Sequence, residues 1–443
     1  MARPRTTLSR RGFLRAAASA VAGPYVLTSN ALGGGGAAPA SERIAIGMIG
    51  MGRQAVYANV KAFLHASDAR VVAVCDVDAW RLEQARQLVD NHYGREDRSG
   101  RAAGCLAFRD FRDLLARADI DAVMISSPDH WHVPQALAAA RAGKDICCEK
   151  PLTMTLAEGR LLSDTVRRHG CVFRTDSEFR SLGVFHRACE LVRNGRIGRL
   201  HTLRAGVPRG DTSCSPQPPM PVPEELDYDL WRGPAPWKPY TEKRVHPPRG
   251  YGRPGWMRCR ETCLGMITNW GAHLIDIAQW GNATERTGPV EVEGRGRYPD
   301  DGLWNVLLDF EVHYRYANGV RMIYRTEAPY VRFEGSEGWI QADYGRAGLT
   351  AEPASLRTCT IASHEQRLPL KGEKRDFLDC VQSRARTVAD AEVGHRTTSV
   401  CHLGYLAIEL GRTLRWDPAA ERFRDDPEAD RLLSIAPREP WGL

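Results

Sequence analysis

One stretch near the start of the chain limits the possible folds more than any other. Ile44-Ala45-Ile46-Gly47-Met48-Ile49 is a short apolar strand, and Gly50-Met51-Gly52-Arg53-Gln54-Ala55 follows it as a glycine turn opening a helix. Glycines at the first and third positions permit a tight turn and let backbone N–H groups approach a pyrophosphate at the helix N-terminus. A second strand, Val71 to Cys75, ends at Asp76, where a carboxylate can accept hydrogen bonds from ribose hydroxyls. Strand, glycine turn, helix, strand and acid occur here in the order a dinucleotide fold requires. Gly50, Gly52, Arg53, Gln54, Asp76 and Arg81 are therefore the first candidate cofactor residues. Asp76 would repel a 2′-phosphate, which favours NAD over NADP, although Arg53 or Arg81 nearby can soften that preference.

Further alternation supports a doubly wound parallel sheet. Ala79 to Val89 and Phe111 to Arg117 read as helices, Ala122 to Ile125 as a strand, Val133 to Ala142 as a helix and Asp145 to Cys148 as a strand. Beyond about residue 170 the alternation stops. Pro and Gly crowd residues 207–255, which read as an extended loop covering the site. A helix near Asn269 to Trp280 follows. Val306 to Phe310, Val320 to Tyr324 and Val331 to Phe333 then read as strands of an open mixed or antiparallel sheet, and Arg375 to Val381 and Leu403 to Leu414 as helices. The expected class is α/β plus α+β, with a dinucleotide domain over 41–170 and a substrate-binding and oligomerisation domain over 171–443.

The first forty residues read as an address rather than as structure. Ser9-Arg10-Arg11-Gly12-Phe13-Leu14-Arg15, the weakly apolar run Ala16 to Ala22 and Pro24 match a twin-arginine export signal, with cleavage expected near Ala38-Pro39-Ala40 or, as the alternative, earlier at Ala31. The run is too short to span a membrane. Five arginines and no acid in this segment account for most of the net charge of +7; the rest of the chain carries 56 basic against 54 acidic side chains. Such a balance gives no attraction to nucleic acid. With 43% apolar and 26% charged residues, the remainder is a globular chain of two domains. The twelve cysteines lack framework spacing. Cys259 with Cys263, and Cys147 with Cys148, look like fragments of metal sites without a second pair, so no metal is expected.

Two further motifs lie after successive strands of the first domain: Ser127-Pro128-Asp129-His130-Trp131-His132 and Cys148-Glu149-Lys150-Pro151-Leu152. With Trp231-Arg232-Gly233-Pro234-Ala235-Pro236, Thr268 to Asp276 and Trp416-Asp417-Pro418, they resemble the glucose-fructose oxidoreductase and inositol dehydrogenase superfamily, Gfo/Idh/MocA, in its twin-arginine-exported bacterial branch. That resemblance implies a Rossmann domain followed by an open sheet that commonly forms a homo-oligomer interface. It implies Ser127, Pro128, His130, His132, Glu149 and Lys150 as further cofactor contacts, with Lys150 a proton relay or a polarising donor to the developing carbonyl oxygen. It also implies His273 as the base that takes the substrate proton. In the family an aspartate stands four residues before this histidine; here the position holds Asn269. An amide cannot stabilise an imidazolium by charge, so either Asp276 supplies that field or the base is weaker. Arg180, Trp231, Tyr251, Trp256 and Arg258 lie in segments expected to border the site and suit a polyhydroxylated ligand.

The expected activity is NAD-dependent oxidation of a carbohydrate or cyclitol hydroxyl. Export away from any exchangeable nicotinamide pool requires a tightly held, internally recycled cofactor. The alternatives are redox-neutral glycoside cleavage through a keto-sugar and a non-catalytic dinucleotide-binding scaffold.

Overall fold

The computed structural model describes residues 42–96, 104–210, 213–346 and 348–442. The stretch read as an export signal and the expected cleavage site lie outside the described residues.

Six parallel strands form the first sheet: β1 (Ile44–Ile49), β2 (Ala69–Cys75), β3 (Leu106–Phe108), β4 (Ala122–Ile125), β5 (Asp145–Cys148) and β6 (Phe173–Thr175), in the order β3-β2-β1-β4-β5-β6. The order reverses between β1 and β4, and in open α/β sheets ligands bind outside the strand C-termini at such a switch point. Every residue of β4 and β5 is buried, as expected of strands covered on both faces by helices. A π-helical turn, Ala55–Asn59, follows the glycine turn and continues as α1 (Val60–Leu64). Then come α2 (Ala79–Glu96), α3 (Phe111–Leu115), α4 (Asp129–Arg141) and α5 (Leu156–His169). Side chains define the helix ends. Asp110 caps α3 through the Arg112 N–H, Thr155 and Glu158 form a reciprocal capping box on α5, and Gly170 closes α5 in the left-handed conformation.

The sheet extends to Thr175, past the boundary expected at residue 170. Later sequence also returns to it. α10 (Glu373–Ser383) packs on β5 and β6 and places Phe377 and Leu378 in the core beneath β1 and β2. Arg174 pairs with Asp376 at 3.0 Å across that seam, both fully enclosed.

Between these segments lie α6 (Gly183–Arg193), α7 (Tyr228–Arg232), α8 (Met266–Asn269) and α9 (Gly271–Gly281). The second sheet contains β7 (Leu200–Val207), β8 (Pro289–Arg297), β9 (Asp309–Tyr316), β10 (Arg321–Thr326), β11 (Tyr330–Gly335), β12 (Gly338–Asp343), β13 (Thr350–Glu352), β14 (Leu414–Asp417) and β15 (Arg422–Phe423). Their order is β13-β12-β11-β7-β10-β9-β8-β14-β15. Among the described residues only β7 and β10 of this sheet pair in parallel, so the sheet is mixed. β9 shows why one face is covered: Phe310, Val312, Tyr314 and Tyr316 point inward, while Glu311, His313 and Arg315 point out. α6, α9 and α11 (Ala391–Leu410) cover the apolar face. Two readings shift in detail. The strand expected at Val306 begins at Asp309, and the helix expected over Leu403 to Leu414 ends at Leu410, leaving Trp416 in β14.

Candidate active site

Loops at the C-terminal ends of β1, β2, β4, β5 and β6 meet a cavity of about 800 Å³, closed on its other sides by α8, α9 and the 246–257 loop. Of the sequence-predicted residues, Gly50, Gly52, Arg53, Gln54, Asp76, Arg81, Ser127, Pro128, His132, Glu149, Lys150, Asn269, His273, Trp231, Tyr251 and Trp256 line it. The two glycines differ. Gly50 has φ +83, and a Cβ there would lie 2.5 Å from the Ser127 nitrogen; around Gly52 nothing stands within 4 Å of the Cβ position. The first glycine thus holds the turn against the β4 loop, and the second leaves space on the cavity side. That cradle, at a helix N-terminus, fits a pyrophosphate. Asp76 accepts hydrogen bonds from the Met51 and Asp78 N–H groups, and burial raises its pKa. Arg81 lines the cavity but donates to the Pro247 and Gly250 carbonyls. Asp78 holds His246 at 3.1 Å. The pair clasps the Pro/Gly-rich segment onto the dinucleotide domain, as a covering loop requires.

The signature loops hold one another. His132 sits with Nδ1 2.8 Å from the Pro151 carbonyl and Nε2 2.8 Å from that of Ser127, spanning the loops after β4 and β5. Burial lowers its pKa to about 4. Ser127 donates to the Gln135 side chain. Asn59, presented by the π-helical turn, donates to both Ser126 and Glu149 at 2.9 Å; such turns recur at functional sites. Burial and the neighbouring Asp176 raise the pKa of Glu149. Asp129, a cavity residue with one carboxylate oxygen unpartnered, is pushed up to about 7 by burial.

Lys150 reaches across to α8, where its Nζ donates to the Asn269 carbonyl at 3.1 Å. Asn269 therefore meets the lysine through its backbone. His273 is 5% exposed. Its ring stacks on Phe179 at 4.3 Å, and Phe179 stacks in turn on Tyr344 at 5.1 Å. Its Nδ1 is buried without a hydrogen-bond partner, and its Nε2 lies 3.7 Å from Glu178 Oε1. Burial first, and the Lys150 ammonium second, hold its pKa well below the usual histidine range.

Four site residues expected from the sequence are placed elsewhere. Asp276 does not face His273: it is sealed beside Arg180, which donates to both its oxygens at 2.7 Å, and it also accepts from Ser177 and Thr397. Arg180, expected at the substrate, is consumed by that pair. His130 lies outside the cavity lining, with Nε2 3.1 Å from the Trp231 carbonyl; burial brings its pKa down to about 3. Arg258 is also absent from the lining; it stacks over Trp304 at 4.4 Å and donates to the Pro254 carbonyl. The single helix expected near Asn269 to Trp280 is in fact two, broken at Trp270 between Asn269 and His273.

Sequence reasoning missed Glu178, Phe179, Trp270 and Tyr344, all lining the cavity. Position alone identifies Glu178 and Phe179. They follow the C-terminal end of a parallel strand, but β6 is three residues long and contains Arg174, so its sequence does not read as a strand.

A dinucleotide fold, a mixed sheet behind it and a lysine and histidine sharing one cavity define a nucleotide-binding architecture built on two sheets. Residues 44–177 match the oxidoreductase family's NAD-binding Rossmann fold, and residues 210–443 match the oxidoreductase family's C-terminal alpha/beta domain. The chain belongs to this family, Gfo/Idh/MocA. A glycosyl hydrolase family 109 protein of Shewanella baltica is 33% identical over 178 residues, 36% of this chain and 37% of that protein. The chain spans 27% to 48% of the length of the curated relatives it matches. Among solved structures, the aldose-aldose oxidoreductase of Caulobacter crescentus, complexed with glycerol, aligns at TM-score 0.61 with 18% identity, covering 84% of this chain and 99% of that one. A levoglucosan dehydrogenase in complex with NADH and levoglucosan aligns at 0.59 with 17% identity, covering 84% and 99%.

Proposed function

We propose that this protein oxidises a hydroxyl-bearing carbon of a carbohydrate or cyclitol, using an NAD molecule that it retains and restores within each cycle. The observation that carries the reading is the meeting of Lys150 and His273 in the cavity that also contains the glycine turn. Bound nicotinamide supplies a hydride acceptor and, later, a hydride donor. The chain's part is proton handling and orientation. His273, kept neutral by burial and by Lys150, is a base able to take the hydroxyl proton. The Lys150 ammonium, anchored at the Asn269 carbonyl, offers its remaining protons to the oxygen that becomes a carbonyl. Trp231, Tyr251 and Trp256 line the same space and suit the C–H faces of a sugar ring.

NAD rather than NADP is supported by Asp76 and by the commitment of Arg81 to loop carbonyls, which leaves that guanidinium unsuited to a 2′-phosphate. The paired arginines Arg10 and Arg11 support twin-arginine export to an extracytoplasmic compartment. Among the described residues no helix is long and apolar enough to cross a membrane. Retention there calls for a Kd in the nanomolar range or tighter, about −12 kcal/mol. Assembly into a homo-oligomer through the second sheet belongs to the same proposal, on the family resemblance alone.

A second reading, redox-neutral cleavage of a glycoside through a keto-sugar, is favoured by the relatives called glycosyl hydrolase family 109 proteins. One experiment separates the two. Purified protein is checked for a co-purifying nicotinamide, then exposed to a panel of sugars, cyclitols and chromogenic glycosides. Reduction that persists until a second carbonyl compound is added supports the oxidoreductase cycle, and transient reduction with free aglycone supports cleavage. Cofactor that stays oxidised across the panel sinks both and leaves a scaffold.

A further inference from the structure

The aspartate that would neutralise a charged His273 is missing at Asn269, and Asp276 is occupied by Arg180. The structure provides another carboxylate. The 3-10 turn Glu178–Ser181 meets α9 with three consecutive side chains: Glu178 at the edge of the His273 ring, Phe179 on its face, and Arg180 on Asp276 one turn further along. The last two contacts fix the first. Arg180 is buried in a two-pronged ion pair and Phe179 is stacked against His273, Tyr344 and Phe185, which together hold the turn in register with the helix. Glu178 Oε1 is left 3.7 Å from His273 Nε2. The two groups differ in access: the histidine is 5% exposed, whereas the glutamate side chain is 43% exposed, toward the cavity it lines.

We propose that Glu178 is the proton outlet of this site: a proton taken up by His273 passes from Nε2 to Glu178 Oε1 and from there to water. The inference rests on reading His273 as the base. Balance is kept at each step. The substrate O–H bond breaks as an N–H bond forms on the imidazole, that N–H breaks as the carboxyl O–H forms, and water takes the proton to regenerate the carboxylate. The C–H electron pair leaves separately as hydride to the cofactor.

Both groups are shifted in the sense that this transfer needs. Burial raises the carboxyl pKa of Glu178, with Lys150 lowering it, Asp176 and Glu373 raising it and Lys374 lowering it; His273 is pushed down by burial and Lys150. Burial and Lys150 thus weaken the imidazole's hold on a proton while burial strengthens the carboxylate's, and both shifts favour transfer from histidine to glutamate. Lys150 faces both groups, so its ammonium disfavours a lasting imidazolium and, once the proton is on Glu178, favours its release to water.

The test has one arm that needs no substrate. Holoprotein labelled at glutamate carboxyl and histidine ring carbons is titrated by NMR, with Glu178→Gln and His273→Gln identifying the two resonances. The expected result is Glu178 protonating above the usual glutamate range while His273 stays neutral; His273 protonating first, or Glu178 titrating at or below the usual range, overturns the proposal. The second arm uses D-glucose, levoglucosan and myo-inositol to reduce the bound nicotinamide. Glu178→Gln is expected to lower kcat at least tenfold with KM within about twofold, consistent with loss of a positioned proton acceptor. Glu178→Asp should recover part of the rate, and added formate should accelerate Glu178→Ala. An unchanged kcat in Glu178→Gln, or no response to formate, overturns the outlet even if His273→Gln is inactive. If the three sugars fail to reduce the cofactor, the proposed substrate class fails, and the titration alone decides the inference.

Discussion

Replacing each fingerprint glycine with alanine separates the structural demand of the turn from the demand of its ligand. At Gly50 the added Cβ would sit 2.5 and 2.7 Å from the Ser127 backbone and 2.8 Å from that of Ser126, at a φ of +83. Left-handed backbone costs alanine about 1–2 kcal/mol, and backbone overlap that must be relieved by shifting β1 from the β4 loop costs a further 1–3 kcal/mol or so. Gly50→Ala should therefore lose about 2–5 kcal/mol of stability and its cofactor together. At Gly52 no atom lies within 4 Å of the new methyl, so the cofactor-free protein should unfold within about 0.5 kcal/mol of wild type. That methyl would enter the space assigned to the pyrophosphate. By the same overpacking range, affinity should fall about tenfold to a hundredfold. Urea unfolding of cofactor-stripped proteins reads the first effect. The shift in midpoint on adding NAD, which follows RT ln(1 + [L]/Kd), reads the second. If Gly52→Ala binds NAD as tightly as wild type, or unfolds as readily as Gly50→Ala, the cradle is wrongly assigned.

Other perturbations reach different parts of the molecule. Asp276→Asn leaves the Arg180 guanidinium buried without its counter-charge and should cost about 3–5 kcal/mol in urea unfolding; a loss below about 1 kcal/mol would mean the pair is solvated. Arg81→Met releases the Pro247 and Gly250 carbonyls, so NAD should dissociate faster in stopped-flow displacement, and an unchanged off-rate would separate that loop from the cofactor. His130, His132 and His402 have pKa values lowered to about 3, 4 and 4. An unfolded chain takes up these protons below about pH 6.5 while the native one does not. Stability is thus fully present above pH 6.5 and declines as pH falls toward 4, at up to about 1.4 kcal/mol per pH unit for each histidine; denaturant midpoints unchanged between pH 7.5 and 5 would contradict their burial as neutral rings.

Legibility in the sequence followed local periodicity. β1, β2, β4 and β5 are apolar strands in a buried sheet, and their ends could be placed because the glycine turn, Asp76, Ser127-Pro128 and Glu149-Lys150 punctuate them. β3 and β6 are three residues each and carry too little pattern to stand out. Lys150 and His273 were found because each lies in a recognisable motif. Asp276 and Arg180 were misread because helical spacing says which residues share a stripe, not which stripe meets a buried partner on another segment. Tyr344 follows β12, and its stack on Phe179 joins positions 165 residues apart, a relation no local pattern contains.

That long-range dependence has a mechanical consequence. The base is carried by α9 in the second half of the chain and the ammonium by the loop after β5 in the first, so their geometry is only as fixed as the contacts between the halves. Those contacts lie close to the chemistry: Lys150 on the Asn269 carbonyl, Phe179 on the His273 ring and Arg180 on Asp276. Removing the sealed ion pair should therefore disturb the base as well as the fold. In Asp276→Asn the Phe179–His273 stack loses the anchor one residue away, and catalysis should fall more than the folded fraction does. Arg180→Lys keeps the charge but not the two-pronged grip, and should show the same excess loss with less unfolding. Activity that merely tracks the folded fraction in both variants would mean the halves are held together elsewhere.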